Sequence, residues 1–258
     1  MEIHQEALSD VERYVQNHKD IPLEQKERDF DQLLRYLRQF LTIDSRLKML
    51  EVGTGMGWVP IIAKKRGWNL AGLEIAPGLI EAGREYGRRY GVEPDLILGN
   101  IETYDLGENV YDVIIANSVF EHVENWRPGL QRLHRALKPG GYLFFESTSK
   151  WSFTSGELPA MPCYGWLPNW ARYRFRMAIH GADIMKNGID FHQFTYPGMR
   201  RHFKTLGFRQ IYDRVDLMKP ENVANPTKRR VLELCRSNAL IKHTVLTFFE
   251  VTTFVCVK

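Results

Sequence analysis

The chain has 258 residues, 44% hydrophobic and 26% charged, with 3 Cys and a formal net charge of +4. These proportions exclude wholesale disorder and suffice for a sizeable core without covalent staples. Three cysteines make neither a disulfide framework nor a CxxC zinc site, and no apolar run approaches the roughly 18 residues of a membrane span. The opening Met-Glu-Ile-His lacks a secretory pattern, so a soluble cytoplasmic protein is expected. The charge is uneven: residues 1–150 carry 19 Lys or Arg against 23 Asp or Glu, whereas residues 151–258 carry 16 against 8.

In chain order, the first forty residues are predicted to form two helices. The second carries Phe30, Leu33, Leu34, Leu37, Phe40 and Leu41 at three-to-four spacing, with Pro22 in its first turn. From about 47 to 147 strands and helices alternate. Strands are expected at 47–52, 70–75, 95–98, 111–116 and 142–146, and helices at 60–65, 77–90 and 128–137, the last stopped by Pro139-Gly140-Gly141. Continuous apolar strands between helices predict an α/β fold, a parallel sheet covered on both faces. Residues 148–195 have no clean period and are rich in aromatics, which predicts a functional cap or insertion. Then follow a helix at 196–206, a strand at 208–217, a basic helix at about 227–243 and a strand at 247–257.

The sharpest local feature is Glu51-Val52-Gly53-Thr54-Gly55-Met56-Gly57, placed where the first strand turns into a helix. Ligands bind at that end of an open α/β sheet, and glycine lets backbone approach them closely. Glu74, at the end of the second strand, suits a pair of ribose hydroxyls. Trp58 stands where a dinucleotide fold needs its third glycine, Glu51 favours a cation over a phosphate, and GxxxxGK[ST] is absent. The pattern therefore predicts a ribose-bearing, cationic, phosphate-free nucleoside, a description that S-adenosylmethionine meets.

Five stretches extend the pattern: Leu-Glu-Val-Gly-Thr-Gly-Met-Gly, Gly-Leu-Glu-Ile, Leu-Gly-Asn-Ile-Glu, Tyr-Asp-Val-Ile-Ile-Ala-Asn-Ser-Val-Phe-Glu-His-Val and Leu-Lys-Pro-Gly-Gly-Tyr-Leu-Phe-Phe. In this order they resemble the class I S-adenosylmethionine-dependent methyltransferases over about residues 40–150, most of all the quinone-biosynthesis and other small-molecule branch. The resemblance implies a Rossmann-like, mostly parallel seven-stranded sheet with helices on both faces. It implies that Gly53, Thr54, Gly55 and Gly57 wrap the methionine end, with Glu51 near its amino group. Glu74 would take the ribose hydroxyls with Ile75 beside the adenine, Ile101 would offer its backbone NH to that ring, and Asn117 would lie by the transferring methyl. Asn100 stands where the family usually places an Asp, and its amide oxygen can accept the same bond.

One domain over 1–258 is expected: a helical lid at 1–42, a cofactor-binding core at 43–147, a cap at 148–200 and the rest of the sheet at 201–258. The expected reaction moves a methyl group from S-adenosylmethionine to O or N, less readily C, of a small metabolite, leaving S-adenosylhomocysteine. Candidate bases are Glu121 and His122, which alternatively only fix their loop, and His192, preferred over His180 within a polar set that includes Asp183 and Asp190. In some relatives of the ubiquinone branch an upstream acid completes a metal site; Ser118 stands there, so no metal is expected. Tyr164, Trp166, Trp170 and Tyr196 are candidate acceptor walls, and Arg200 and Arg201 candidate partners for an anionic part of it. RNA methylation and cofactor binding without turnover stay open, the first for the basic, aromatic last two-fifths.

Overall fold

The computed structural model describes residues 11–154, 161–181 and 190–258. Strands β1 (Lys48–Val52), β2 (Asn69–Glu74), β3 (Asp95–Leu98), β4 (Tyr111–Asn117), β5 (Leu137–Thr148), β6 (Gln210–Asp213) and β7 (Val251–Val257) join in one sheet, ordered β3-β2-β1-β4-β5-β7-β6. The first five run parallel, and β7 is antiparallel to both β5 and β6. Val113, Ile114, Ile115 and Ala116 of β4 are all buried, as a strand covered on both faces requires. The strand order reverses between β1 and β4, so the loops leaving their carboxyl ends diverge and open a crevice there.

One face of the sheet is covered by α2 (Leu23–Leu37), α3 (Trp58–Lys65) and α4 (Pro77–Arg89), with α1 (Val11–His18) lying against α4. The buried residues of α2 are Leu23, Phe30, Leu34 and Leu37, the stripe its sequence spacing announces. The other face carries α5 (Trp126–Ala136) and α7 (Tyr196–Leu206), whose Leu130, Leu133, Met199 and Phe203 meet Phe145 and Phe254 of the sheet. α6 (Asn169–His180) lies in the stretch expected to lack regular structure. Asp183 falls outside the described residues, as do parts of the cap.

Three expectations fail, two of them in the last third for local, chemical reasons. The strand at 208–217 is cut short at Asp213, which caps a one-turn helix, α8 (Arg214–Leu217), by accepting from Val215 N and Asp216 N while Asp216 answers Asp213 N. The basic helix is two helices, α9 (Pro226–Ser237) and α10 (Ala239–Thr247), because the Asn238 side chain accepts from Leu240 N and Ile241 N and starts a new one. The helix before β5 ends at Ala136, and Pro139-Gly140-Gly141 lies inside β5, at a register shift against β4.

Candidate active site

The crevice holds a cavity of about 210 Å³, walled by the carboxyl ends of β1, β2 and β4 and the loop after β3. Gly53, Gly55, Glu74, Ile75, Asn100 and Ile101 all line it, together with Ser118 and His122 from the loop after β4. Two of its glycines answer to different neighbours. Gly53 has φ 67, and a Cβ there would stand 2.2 Å from Val119 Cγ2. Gly55 has φ 57, and a Cβ would come within 3.2 Å of the Tyr14 hydroxyl. Side chains at either site would be strained and would push a wall of the cavity outward. Ser118 also has positive φ, 51°, a conformation that costs a non-glycine residue about 1–2 kcal/mol.

Glu74 is the best-held acid. Its carboxylate accepts from Gly55 N at 2.8 Å, Ile75 N at 2.9 Å and Ala76 N at 3.1 Å, so the glycine turn and the end of β2 are tied through one side chain. Burial pushes its carboxyl up, and the three backbone donors pull it back. Glu51 does not line the cavity; it accepts the Thr54 hydroxyl. Desolvation, reinforced by the charge of Glu74, pushes the Glu51 carboxyl up to about 8. Tyr14 of α1 does line the cavity and was not evident in the sequence. Its phenol is raised by burial first and then by Glu74 and Glu51, so it stays a neutral donor. Its link to Gly55 is a packing contact between distant parts of the chain, for which no local motif exists.

The remaining expected residues are placed elsewhere. Gly57 caps α3 and lies against Leu96, and Asn117 is exposed at the end of β4. Asn100, itself part of the lining, accepts at Oδ1 from Glu102 N at 2.8 Å, which shapes the loop after β3. Glu121 is buried and accepts from Ser147 Oγ at 2.5 Å, bracing the loop after β4 against β5. The His192 ring bonds the Glu124 carbonyl at 2.8 Å, away from the cavity lining. Tyr164 is buried, with its hydroxyl on the Arg172 carbonyl, and Tyr196 is buried with its hydroxyl on Asp213 and its ring stacked on Phe254. Trp166 joins Trp151, Phe153 and Phe248 in an aromatic cluster, and Trp170 is largely exposed. Arg200 is turned to the Ile211 carbonyl and Asp213, and Arg201 is exposed on α7. None of these six lines the cavity.

His122 is the expected base that does reach the cavity, with its Nδ1 3.1 Å from Asp190 Oδ1. The described lining contains acids, Glu74 and Glu102, and no Lys or Arg. That donor set fits a cationic nucleoside and would repel a pyrophosphate. Among the described residues no three His, Cys, Asp or Glu side chains converge as metal ligands.

Residues 50–145 match the family described as "Methyltransferase domain". The chain is 29% identical over 126 residues to the ubiquinone biosynthesis O-methyltransferase of Rickettsia conorii, covering 48% of this chain and 43% of that one. It is 27% identical over 176 residues to the enzyme of that name from Pectobacterium atrosepticum, covering 66% and 69%. The chain spans about half the length of the curated relatives it matches from Rickettsia. The fold is shared with a S-adenosylmethionine-dependent methyltransferase from Mesorhizobium loti, at TM-score 0.55 and 16% identity over 86% of this chain and 95% of that one. It is shared too with Haemonchus contortus phosphoethanolamine N-methyltransferase 2 in complex with S-adenosyl-L-methionine, at TM-score 0.56 and 14% identity over 88% and 52%. Over residues 50–145 the sequence match to a methyltransferase domain coincides with the strand order and the cavity.

Proposed function

We propose that the protein transfers a methyl group from S-adenosylmethionine to a hydroxyl or amine of a small metabolite in the cytoplasm. The observation that carries this reading is His122, the one imidazole among the described residues of a cavity otherwise lined by backbone, apolar groups, acids and the neutral polar side chains of Tyr14, Asn100 and Ser118. When bound, the cofactor supplies a methyl carbon on a sulfonium, which an acceptor lone pair takes as the C–S bond breaks and S-adenosylhomocysteine departs.

The protein's own part is alignment and one proton. Glu74 faces the cavity from the end of β2 and is the acceptor for ribose hydroxyls, while Ile75, Asn100 and Ile101 form the adenine side. Glu51 and Thr54 lie behind the glycine turn, where a carboxylate favours the amino end of the methionine moiety. His122 takes the proton of the acceptor as its oxygen or nitrogen engages the methyl, a role needed for groups that keep a proton at neutral pH. Alignment then supplies most of the remaining rate.

Purified protein incubated with the cofactor and a panel of phenols, hydroxy acids and amines should release S-adenosylhomocysteine with at least one acceptor. His122→Gln should remove turnover while leaving S-adenosylhomocysteine affinity within about twofold. Turnover that survives this substitution overturns the role of His122, and binding without release on any acceptor overturns the reaction. The positive charge of residues 151–258, the last two-fifths, favours a second acceptor class, RNA. Steep salt dependence of RNA binding would support it.

A further inference from the structure

His122 does not stand alone at the rim; the cap reaches it through a buried carboxylate. Asp190 is 4% exposed and Arg172, on α6, is 1% exposed. Taking an Arg and an Asp out of water is costly, and the cost is offset fully only when each oxygen and nitrogen finds a partner. Were Arg172 and Asp190 only a structural pair, both carboxylate oxygens would be expected on the guanidinium, in the two-pronged geometry that suits it. Instead the carboxylate divides its oxygens. Oδ2 lies 3.4 Å from Arg172 Nη2, while Oδ1 lies 3.1 Å from Nδ1 of His122, the only histidine among the described cavity residues.

The segment holding Asp190 is fastened to the loop holding His122. His192 N donates to the Glu121 carbonyl at 3.2 Å, and the His192 ring bonds the Glu124 carbonyl at 2.8 Å. Tyr173 Oη donates to the Asp190 carbonyl at 2.8 Å, and Asn169, one turn away on α6, bonds both Arg172 and the Phe191 carbonyl. Phe194 then bridges to Ser149 at the end of β5. His192 is thus a clasp that holds carboxylate and imidazole in register.

We propose that Asp190 is the positioning residue of this site, fixing the ring plane and tautomer of His122. With Nδ1–H donated to Asp190, the lone pair of the imidazole sits on Nε2, the atom that takes the acceptor's proton. Across the cavity the Glu74 carboxylate feels the imidazole in turn, and Glu102 is the second acid of the lining. The proposal rests on the methyl-transfer reading for its consequence in rate, and on the geometry alone for the tautomer.

The test therefore has two readouts. In protein with ring-15N histidine and bound S-adenosylhomocysteine, the His122 signals, assigned by their loss in His122→Gln, should show Nδ1 protonated and Nε2 unprotonated in the neutral ring. Asp190→Asn should shift the population toward the other tautomer, lower kcat about 10²-fold or more and leave acceptor KM and S-adenosylhomocysteine affinity within about twofold. Asp190→Glu should recover part of the rate. Native His122 protonated on Nε2, or an Asp190→Asn enzyme with unchanged kcat, overturns the proposal. If no acceptor is found the methyl-transfer reading fails, while the tautomer of the native protein still decides the role of Asp190. Should Asp190→Asn not fold, that native spectrum and Asp190→Glu carry the decision.

Discussion

The acids in the two halves of the molecule live under different rules. Among the described residues of the last third each buried carboxylate has a cation. Asp213, fully buried, lies 2.9 Å from Lys242 and 3.5 Å from Arg200, and Asp190 meets Arg172. Around the cavity, Glu51 and Glu74 have no ion-pair partner within 4 Å among the described residues; a hydroxyl and backbone N–H groups hold them instead. Both carboxyls are accordingly raised, first by burial. The contrast separates charge used to hold the fold from charge kept available. A desolvated acid lacking a cation destabilises the empty protein and becomes favourable once a cationic ligand arrives.

The largest expected effect falls on the structural side. Lys242→Ala leaves Asp213 buried with Arg200 as its remaining cation, and should lower unfolding free energy by about 3 kcal/mol. Urea denaturation measures the loss, and S-adenosylhomocysteine affinity of the folded fraction should stay the same. A large drop in affinity would break the division between the two halves.

On the other side Glu74→Ala removes the acceptor proposed for two ribose hydroxyls and the brace of the glycine turn. Calorimetric titration should show S-adenosylhomocysteine affinity reduced about 10²-fold, as the loss of two hydrogen bonds to a charged group implies. Affinity within a few-fold of the native value would remove Glu74 from the cofactor site.

Glu51 sharpens the comparison through pH. Its folded carboxyl is raised to about 8, above the 4.5 of a free glutamate, so the folded state binds its proton more tightly than the unfolded chain does. The resulting stability is fully present below pH 4.5 and is lost as pH rises through about 8. The ammonium group of a ligand's methionine or homocysteine end reverses the preference and drives the proton off. Affinity for S-adenosylhomocysteine should therefore rise with pH between about 6 and 8, by at most about tenfold per unit, with proton release visible as a buffer-dependent binding enthalpy. Glu51→Gln should flatten both slopes, and persistent slopes would assign them to another group.

The same division decided what was legible in the residues. Glycines at 53 and 55 and the acid at 74 sit where a strand ends and backbone must turn, so spacing alone locates them, and the cavity is lined by all three. In the last third, Tyr196, Arg200 and the aromatics resemble binding groups in composition, but their partners lie across the sequence: Asp213 for two of them, Phe248 and Phe153 for Trp166. Long-range pairing leaves no trace in a local pattern. Two signals were nonetheless local. Asp213-Arg214-Val215-Asp216 is a capping box that ends β6, and Asn238 before Leu240 and Ile241 is a helix cap that breaks the basic helix.

Tyr14 gives the smallest effect and the most specific one. It comes from α1, outside the matched residues 50–145, yet its hydroxyl hangs over Gly55 and feels the charges of Glu74 and Glu51. α1 is seated by Val11 against Gly78 of α4 and by the Tyr14 ring stacked on His18 at 4.2 Å. Burial and the two carboxylates keep the phenol protonated, so it offers a hydrogen bond rather than a charge. Tyr14→Phe keeps the stacked ring and the seat of α1 but deletes that donor. It should weaken S-adenosylhomocysteine about three- to tenfold, the worth of one net hydrogen bond, with the thermal midpoint of the free protein unchanged. Tyr14→Ala removes the ring as well, and should raise the dissociation rate beyond the Phe variant because the rim then lacks a wall. Equal rates in both variants would reduce Tyr14 to its hydroxyl. Native affinity in both would return α1 to plain packing and confine the cofactor site to the strand ends.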